Sequence, residues 1–190
     1  MARKKTITKK QILRAAYTIV ATEGFSNFTA RRVASKMKCS TQPIYLEFQN
    51  MNDLRKEVLN KVNERLEQEI YSRVILGDAI LDLSIAYVEF AINEPTMYRA
   101  IYTENYPESQ YVVDYGRRLF MRNLNKDLRY RDLDQSVKDS LFTQTWLTAT
   151  GIATLSSGNL YRPSREELVN AVNGTIRSIL ESDSCYTQPA

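Results

Sequence analysis

Apolar residues recur at helical spacing along the whole chain. Thr8-Lys9-Lys10-Gln11 has the form of a capping box, and Ile12, Ala15, Ala16, Ile19 and Val20 follow at i, i+3, i+4, i+7 and i+8. This predicts a helix that Gly24 brings to an end. Phe25 and Phe28 come next as plugs for a small core. Thr29 can cap a second helix with a small apolar face of Ala30, Val33, Ala34 and Met37. Lys38-Cys39 turns the chain, and Ser40 caps a third helix that buries Ile44 and Phe48. Residues 29–48 therefore spell a helix-turn-helix, a motif whose second helix enters the DNA major groove.

Beyond the motif, Asn50 with Asp53 starts a long helix whose apolar positions Leu54, Val58, Val62, Leu66 and Ile70 recur every fourth residue. It is expected to reach about Leu76, before Gly77. Residues 78–93 are apolar nearly all round and belong in the interior. Pro95 opens a short segment to about Thr103, and Ser109 to Leu128 reads as another helix. From Asp134 or Gln135, a stripe of Val137, Leu141, Phe142, Thr145, Trp146, Ala149, Ile152 and Ala153 predicts the next. The last helix starts at the box Ser164-Arg165-Glu166-Glu167 and continues through Leu168, Ala171, Val172, Thr175, Ile176, Ile179 and Leu180, with a frayed tail from Ser182. No strand-like alternation or internal repeat interrupts this pattern. The reading is an all-α protein of about nine helices, with a three-helix DNA-binding domain at 1–55 and a helical domain at 56–190.

Composition changes this picture in two places. The chain has 190 residues with few glycines and prolines (6 and 5), enough for a packed core. No apolar run approaches a membrane span, and none follows the basic N-terminus as in a signal peptide, so a cytoplasmic protein with no membrane partner is expected. Histidine is absent, which removes His-based triads and His metal sites together. Cys39 and Cys185 lack metal-ligand spacing, and Cys39 reads as a buried thiol at the turn. No Gly-rich phosphate loop or carboxylate pair at catalytic spacing is present, so no catalytic residue, metal or cofactor is expected. The second change is in charge. Residues 1–56 hold 12 Lys and Arg against 3 Asp and Glu, net +9, whereas the remaining 134 hold 14 against 19, net −5. A basic first quarter on an acidic remainder is the electrostatic footprint of a DNA-binding head.

The first 60 residues resemble the DNA-binding domain of the TetR (tetracycline-repressor) family of bacterial transcription regulators. Ile12, Ala15-Ala16, Gly24-Phe25, Thr29, Arg31, Val33-Ala34, Ser40, Tyr45, Phe48 and Leu54 all fall at the family's spacing. Further on, Trp146-Leu-Thr-Ala-Thr-Gly151 looks like the Trp-x-x-x-His-Gly segment of one class of TetR-like C-terminal domains, with Thr150 in place of the histidine. Three residues depart from the family's head. Lys38 stands where a glycine is usual, and costs roughly 1 kcal/mol if the backbone there is left-handed. Met51 replaces a common lysine. Glu47 replaces a residue that tolerates phosphate, and should point away from DNA or weaken binding.

In the DNA reading, phosphate contacts set position and base contacts set sequence. Tyr45 can donate its hydroxyl to a phosphate, and Thr29 with the start of its helix can hold another through backbone N–H groups. Arg31, Lys4, Lys5 and Lys10 add charge. Ser40 opens the recognition helix. Thr41 and Gln42 are the candidates for base readout, glutamine pairing with adenine and the threonine methyl touching thymine, and Pro43 can pack on a thymine methyl. The resemblance implies a homodimer joined by the last two long helices, for which Gly151, Leu155, Leu168, Val172, Ile176 and Ile179 are the expected interface. Two heads roughly 34–36 Å apart would read a palindromic operator. Twelve tyrosines are many for this length, and Phe90, Tyr98, Tyr102, Tyr115 and Trp146 are expected to line a pocket for a small apolar or aromatic effector. Such an effector would act by shifting the population of conformations, with relief of repression as the family's usual outcome. The rival readings are a helical interaction protein of the same fold that has lost operator binding, and a nonspecific nucleic-acid binder.

Overall fold

The computed structural model describes residues 7–104, 106 and 108–186; of Ser109 and residues 183–186 it describes the backbone alone. Among the described residues the chain is all-α, with nine α-helices and no strand. They are α1 (Lys9–Glu23), α2 (Ala30–Met37), α3 (Gln42–Glu47), α4 (Met51–Arg65), α5 (Ala79–Asn93), α6 (Pro95–Tyr102), α7 (Ser109–Leu124), α8 (Gln135–Ser157) and α9 (Arg165–Tyr186). Contacts divide the chain into two compact units, one of Met1–Arg65 with Thr96–Val112 and one of Leu66–Pro95 with Val113–Ala190. Compared with the boundary expected at residue 55, the first unit extends to Arg65 and gains 96–112.

In the first unit, α1 starts at the expected capping box. The Gln11 amide donates to Thr8 Oγ1 at 3.3 Å, and the Thr8 amide donates back to Gln11 Oε1 at 2.9 Å. One face of α1 (Ile12, Ala16, Ile19 and Val20) is fully buried, and the helix packs on α2, α3 and α4. Gly24 ends it at φ +76°, and a Cβ there would stand 2.5 Å from a carboxylate oxygen of Glu104. That close approach is made by a second segment of the chain. The Phe25 amide donates to Glu104 Oε2 at 3.0 Å, and Arg55 of α4 pairs with Glu108 at 3.0 Å. The Arg55 guanidinium also lies 5.6, 5.8 and 6.0 Å from the ring centres of Phe25, Phe28 and Tyr106. Burial pushes the Tyr106 hydroxyl well above the usual phenol range, and that hydroxyl donates to the Ile101 carbonyl at 2.8 Å.

The helix expected to run from Asn50 to Leu76 stops being α-helical at Arg65 and continues as a π-helical turn, Leu66–Tyr71. Apolar residues spaced four apart advance about 40° per turn around a 3.6-residue helix, so a buried stripe from Leu54 to Ile70 walks off its face. The wider turn begins at Leu66, which is fully buried, whereas Ile70 within it is only half-buried. Glu67, within the turn, accepts from the Tyr115 hydroxyl and from Arg122 at 2.5 Å. The Tyr115 hydrogen bond, with help from Arg122, holds the Glu67 carboxyl below its ordinary range.

The second unit is built around α5, buried nearly all round as its sequence requires, and packed on α8 and α9. Asp78 caps α5 by accepting from the Ile80 and Leu81 amides at 2.9 and 3.0 Å, and also takes the Tyr130 hydroxyl at 2.7 Å. α7 ends at Leu124, four residues short of expectation, because Asp127 leaves the helix to accept the Ala79 amide at 3.0 Å. Arg129 pairs with Asp127 at 2.7 Å and holds its carboxyl down at about 2. α9 begins at the expected Ser164–Glu167 box and runs on to Tyr186, past the tail expected to fray. Among the described residues, no helix is long and apolar enough to cross a membrane.

Candidate nucleic-acid interface

Two short helices and a strained turn build the site. Thr29 caps α2, its hydroxyl oxygen accepting from the Arg32 amide at 3.2 Å. Val33 and Ala34 anchor α2 on the core, and Arg31 and Lys36 lie exposed on its other side. α2 ends at Lys38, whose φ of 55° and ψ of 46° place it in the left-handed region where a side chain is costly. Lys38→Gly should therefore stabilise the protein by about 1 kcal/mol, seen as a raised thermal midpoint. An unchanged or lower midpoint would show that the lysine relieves its strain through contacts of its own.

α3 starts two residues beyond Ser40. Its cap is Thr41, with no side-chain hydrogen bond, so the expected Ser40 cap is not formed. The left-handed turn at Lys38 carries the chain past Ser40 before the helix begins, and Ser40 is left exposed. Gln42 and Pro43 occupy the first turn, where the missing proline N–H costs nothing. Ile44, 1% exposed, and Phe48, 2% exposed, fix the helix to the core, while Tyr45 is 54% and Leu46 77% exposed. Gln42, Tyr45 and Leu46 thus stand in solvent on a firmly anchored helix.

Not every cation of the head is available for a polyanion. Arg32 is bound twice by Glu23, at 2.8 and 2.7 Å, which holds the Glu23 carboxyl below its ordinary range. Lys9 is paired with Glu57 at 2.9 Å and stands 5.2 Å from the Phe48 ring centre, and the charges of Asp53 and Glu47 also act on it. Lys10, Arg31 and Lys38 are exposed and make no ion pair among the described residues. Lys4 and Lys5 lie outside the described residues. Cys39 is a half-buried free thiol at the turn, and no group of His, Cys, Asp and Glu among the described residues could hold a metal.

The residues expected to line an effector pocket are spread over both units. In the first, Tyr98 is fully buried and its ring lies 5.4 Å from that of Tyr102. In the second, Phe90 is buried on α5, Tyr115 is engaged with Glu67, and Trp146 stacks on Phe142 at 5.7 Å and 4°. An open groove of about 560 Å³ in the second unit is lined by Tyr71, Arg73, Val74, Asp82, Lys126 and Arg129 among others, and by none of the five.

Of the residues expected at a dimer interface, Leu168, Val172, Ile176 and Ile179 are buried within the subunit, none more than 7% exposed. They form the inner face of α9, packed on α8 and α5. Gly151 and Leu155 lie outward with Leu147, which is 59% exposed. On α9 the outward residues include Ala171, Gly174 and Ser178. Leu46, Leu147 and Gly174 were not singled out from sequence, because periodicity there marks them only as positions off the buried stripe.

No protein-family model matches the chain, and no curated protein matches it in sequence. Among solved structures it is similar to one described as a TetR-family transcriptional regulator from Vibrio parahaemolyticus. The TM-score is 0.60 at 17% identity, over 89% of this chain and 96% of that one. The fold is therefore that of a TetR-type regulator, with an N-terminal helix-turn-helix and a C-terminal helical domain.

Proposed function

We propose that this chain is a sequence-specific DNA-binding regulator of transcription that binds a palindromic operator as a homodimer in the bacterial cytoplasm. The observation that carries the reading is α3: Ile44 and Phe48 anchor it, and Gln42, Tyr45 and Leu46 stand outward, with Pro43 half-buried between them. Exposed Lys10, Arg31 and Lys38 supply the attraction for phosphate, with Lys4 and Lys5 ahead of them in sequence. The homodimer reading rests on outward Leu147, Gly151 and Leu155 of α8, at i, i+4 and i+8, beside Ala171, Gly174 and Ser178 of α9. Small residues there let a partner's helices approach closely. A small apolar or aromatic effector that releases the operator completes the proposal, with the chain acting as a repressor.

Selection of bound fragments from random DNA by the purified protein, at physiological salt, tests the reading. A palindromic motif is expected, with affinity falling steeply as salt rises. On that motif Tyr45→Phe should weaken all sequences alike, whereas Gln42→Ala should relax preference at one base pair per half-site, by roughly 1–3 kcal/mol. Interchanged effects would overturn the two roles. Absence of any enriched sequence would favour the helical interaction protein instead.

A further inference from the structure

We infer that Leu46 reads sequence together with Gln42, and that the group it reads is the 5-methyl of a thymine. The inference rests on the proposed insertion of α3 into the major groove. At about 100° per residue, the position opposite buried Ile44 lies between Gln42 and Leu46, each roughly 20° from it. Pro43 and Tyr45 are each about 100° from Ile44 and so lie on the flanks, while Glu47, only about 60° away, lies on the side of the helix nearest the core. The two side chains that would meet the floor of a groove are therefore Gln42 and Leu46, and Leu46 is 77% exposed.

The chemistry of Leu46 narrows what it can recognise. An isobutyl group has no donor or acceptor, so it gains nothing from phosphate or from the polar base edges. The one apolar group that an unmodified major groove displays is the thymine methyl. Gln42 and Leu46 are one helical turn apart, about 6 Å along the axis, or up to two base pairs of B-DNA. Leu46 should thus require a thymine within two base pairs of the base that Gln42 reads. A lone exposed leucine is ordinary on a protein surface. This one differs in being at the outermost point of the helix, beside a side chain suited to pairing with adenine.

The test uses the full chain and the half-site obtained by selection, with each thymine replaced singly by deoxyuridine to delete only its methyl. At one position per half-site the natural protein should bind about four-fold more weakly to the uracil probe. Leu46→Ala, which removes an exposed side chain and leaves the core intact, should bind both probes alike. Indifference of the natural protein to every uracil would overturn the inference and leave the regulator reading standing. So would a methyl effect that survives in Leu46→Ala but vanishes in Pro43→Ala or Thr41→Ser, since the contact would belong to those residues. Failure to select any sequence would overturn both the inference and the reading beneath it.

Discussion

Replacing Glu108 by Ala should lower the stability of the protein by about 3–5 kcal/mol. The side chains of Arg55 and Glu108 are 15% and 5% exposed, and their charges meet at 3.0 Å. Arg55 also donates to Asn52 Oδ1 at 3.1 Å, but Phe25, Phe28 and Tyr106 surround its guanidinium with rings. Without the carboxylate the cation would remain among those rings with one neutral acceptor and little water. Removing both charges is a different experiment. Arg55→Met with Glu108→Met fills similar volume, leaves no orphan, and should recover most of the loss. Denaturant unfolding followed by circular dichroism reads both variants. A loss under 1 kcal/mol in Glu108→Ala would mean that the pair is as wet as a surface ion pair.

On the proposed dimer, Gly151→Arg should leave the protein monomeric and weaken operator binding by at least a hundred-fold. Gly151 is exposed on α8, and a Cβ there meets nothing within 4 Å. The subunit can therefore accept the arginine, and an exposed helical glycine replaced by arginine gains roughly 0.5–1 kcal/mol of helix propensity. The damage would fall only on a second copy seated over Leu147 and Leu155, which would have to bury an unpaired cation. Two linked heads exceed one in affinity by roughly 10²–10⁴, and that avidity disappears with the dimer. Light scattering gives the mass and a mobility shift gives the affinity. A variant that stays dimeric and binds normally would move the interface to another face of the second unit.

How far these features could be read from sequence depended on the range of the interactions behind them. The capping boxes at Thr8 and Ser164, the buried face of α1 and the helix start at Asn50 involve residues three or four apart, and each formed where the pattern placed it. The start of α3 was misread because Ser40 and Thr41 are equally good caps on paper. The left-handed backbone at Lys38 decides between them. The apolar spacing of Leu54 to Ile70 was visible, yet it gave no sign of the π turn that begins at Leu66. Periodicity also says which face of α9 is apolar but not what covers it. Hence Leu168 and Val172 were expected against a partner and are found inside the subunit. Glu104 and Glu108 carry no local signal, since their partners Phe25 and Arg55 lie 79 and 53 residues away.

Those long separations bear on how the protein is made. Helices α1 to α4 leave the ribosome first, but the carboxylates that hold the Gly24–Phe25 turn and neutralise Arg55 are encoded only at 104 and 108. At 5–20 residues per second, the nascent chain spends roughly two to nine seconds with α4 synthesised and Arg55 still lacking its counter-charge. During that interval the aromatic residues Phe25 and Phe28 are incompletely covered. Because Glu104 and Glu108 follow α4 by about 40 residues, the helix-turn-helix unit completes its contacts only after that later segment has been made.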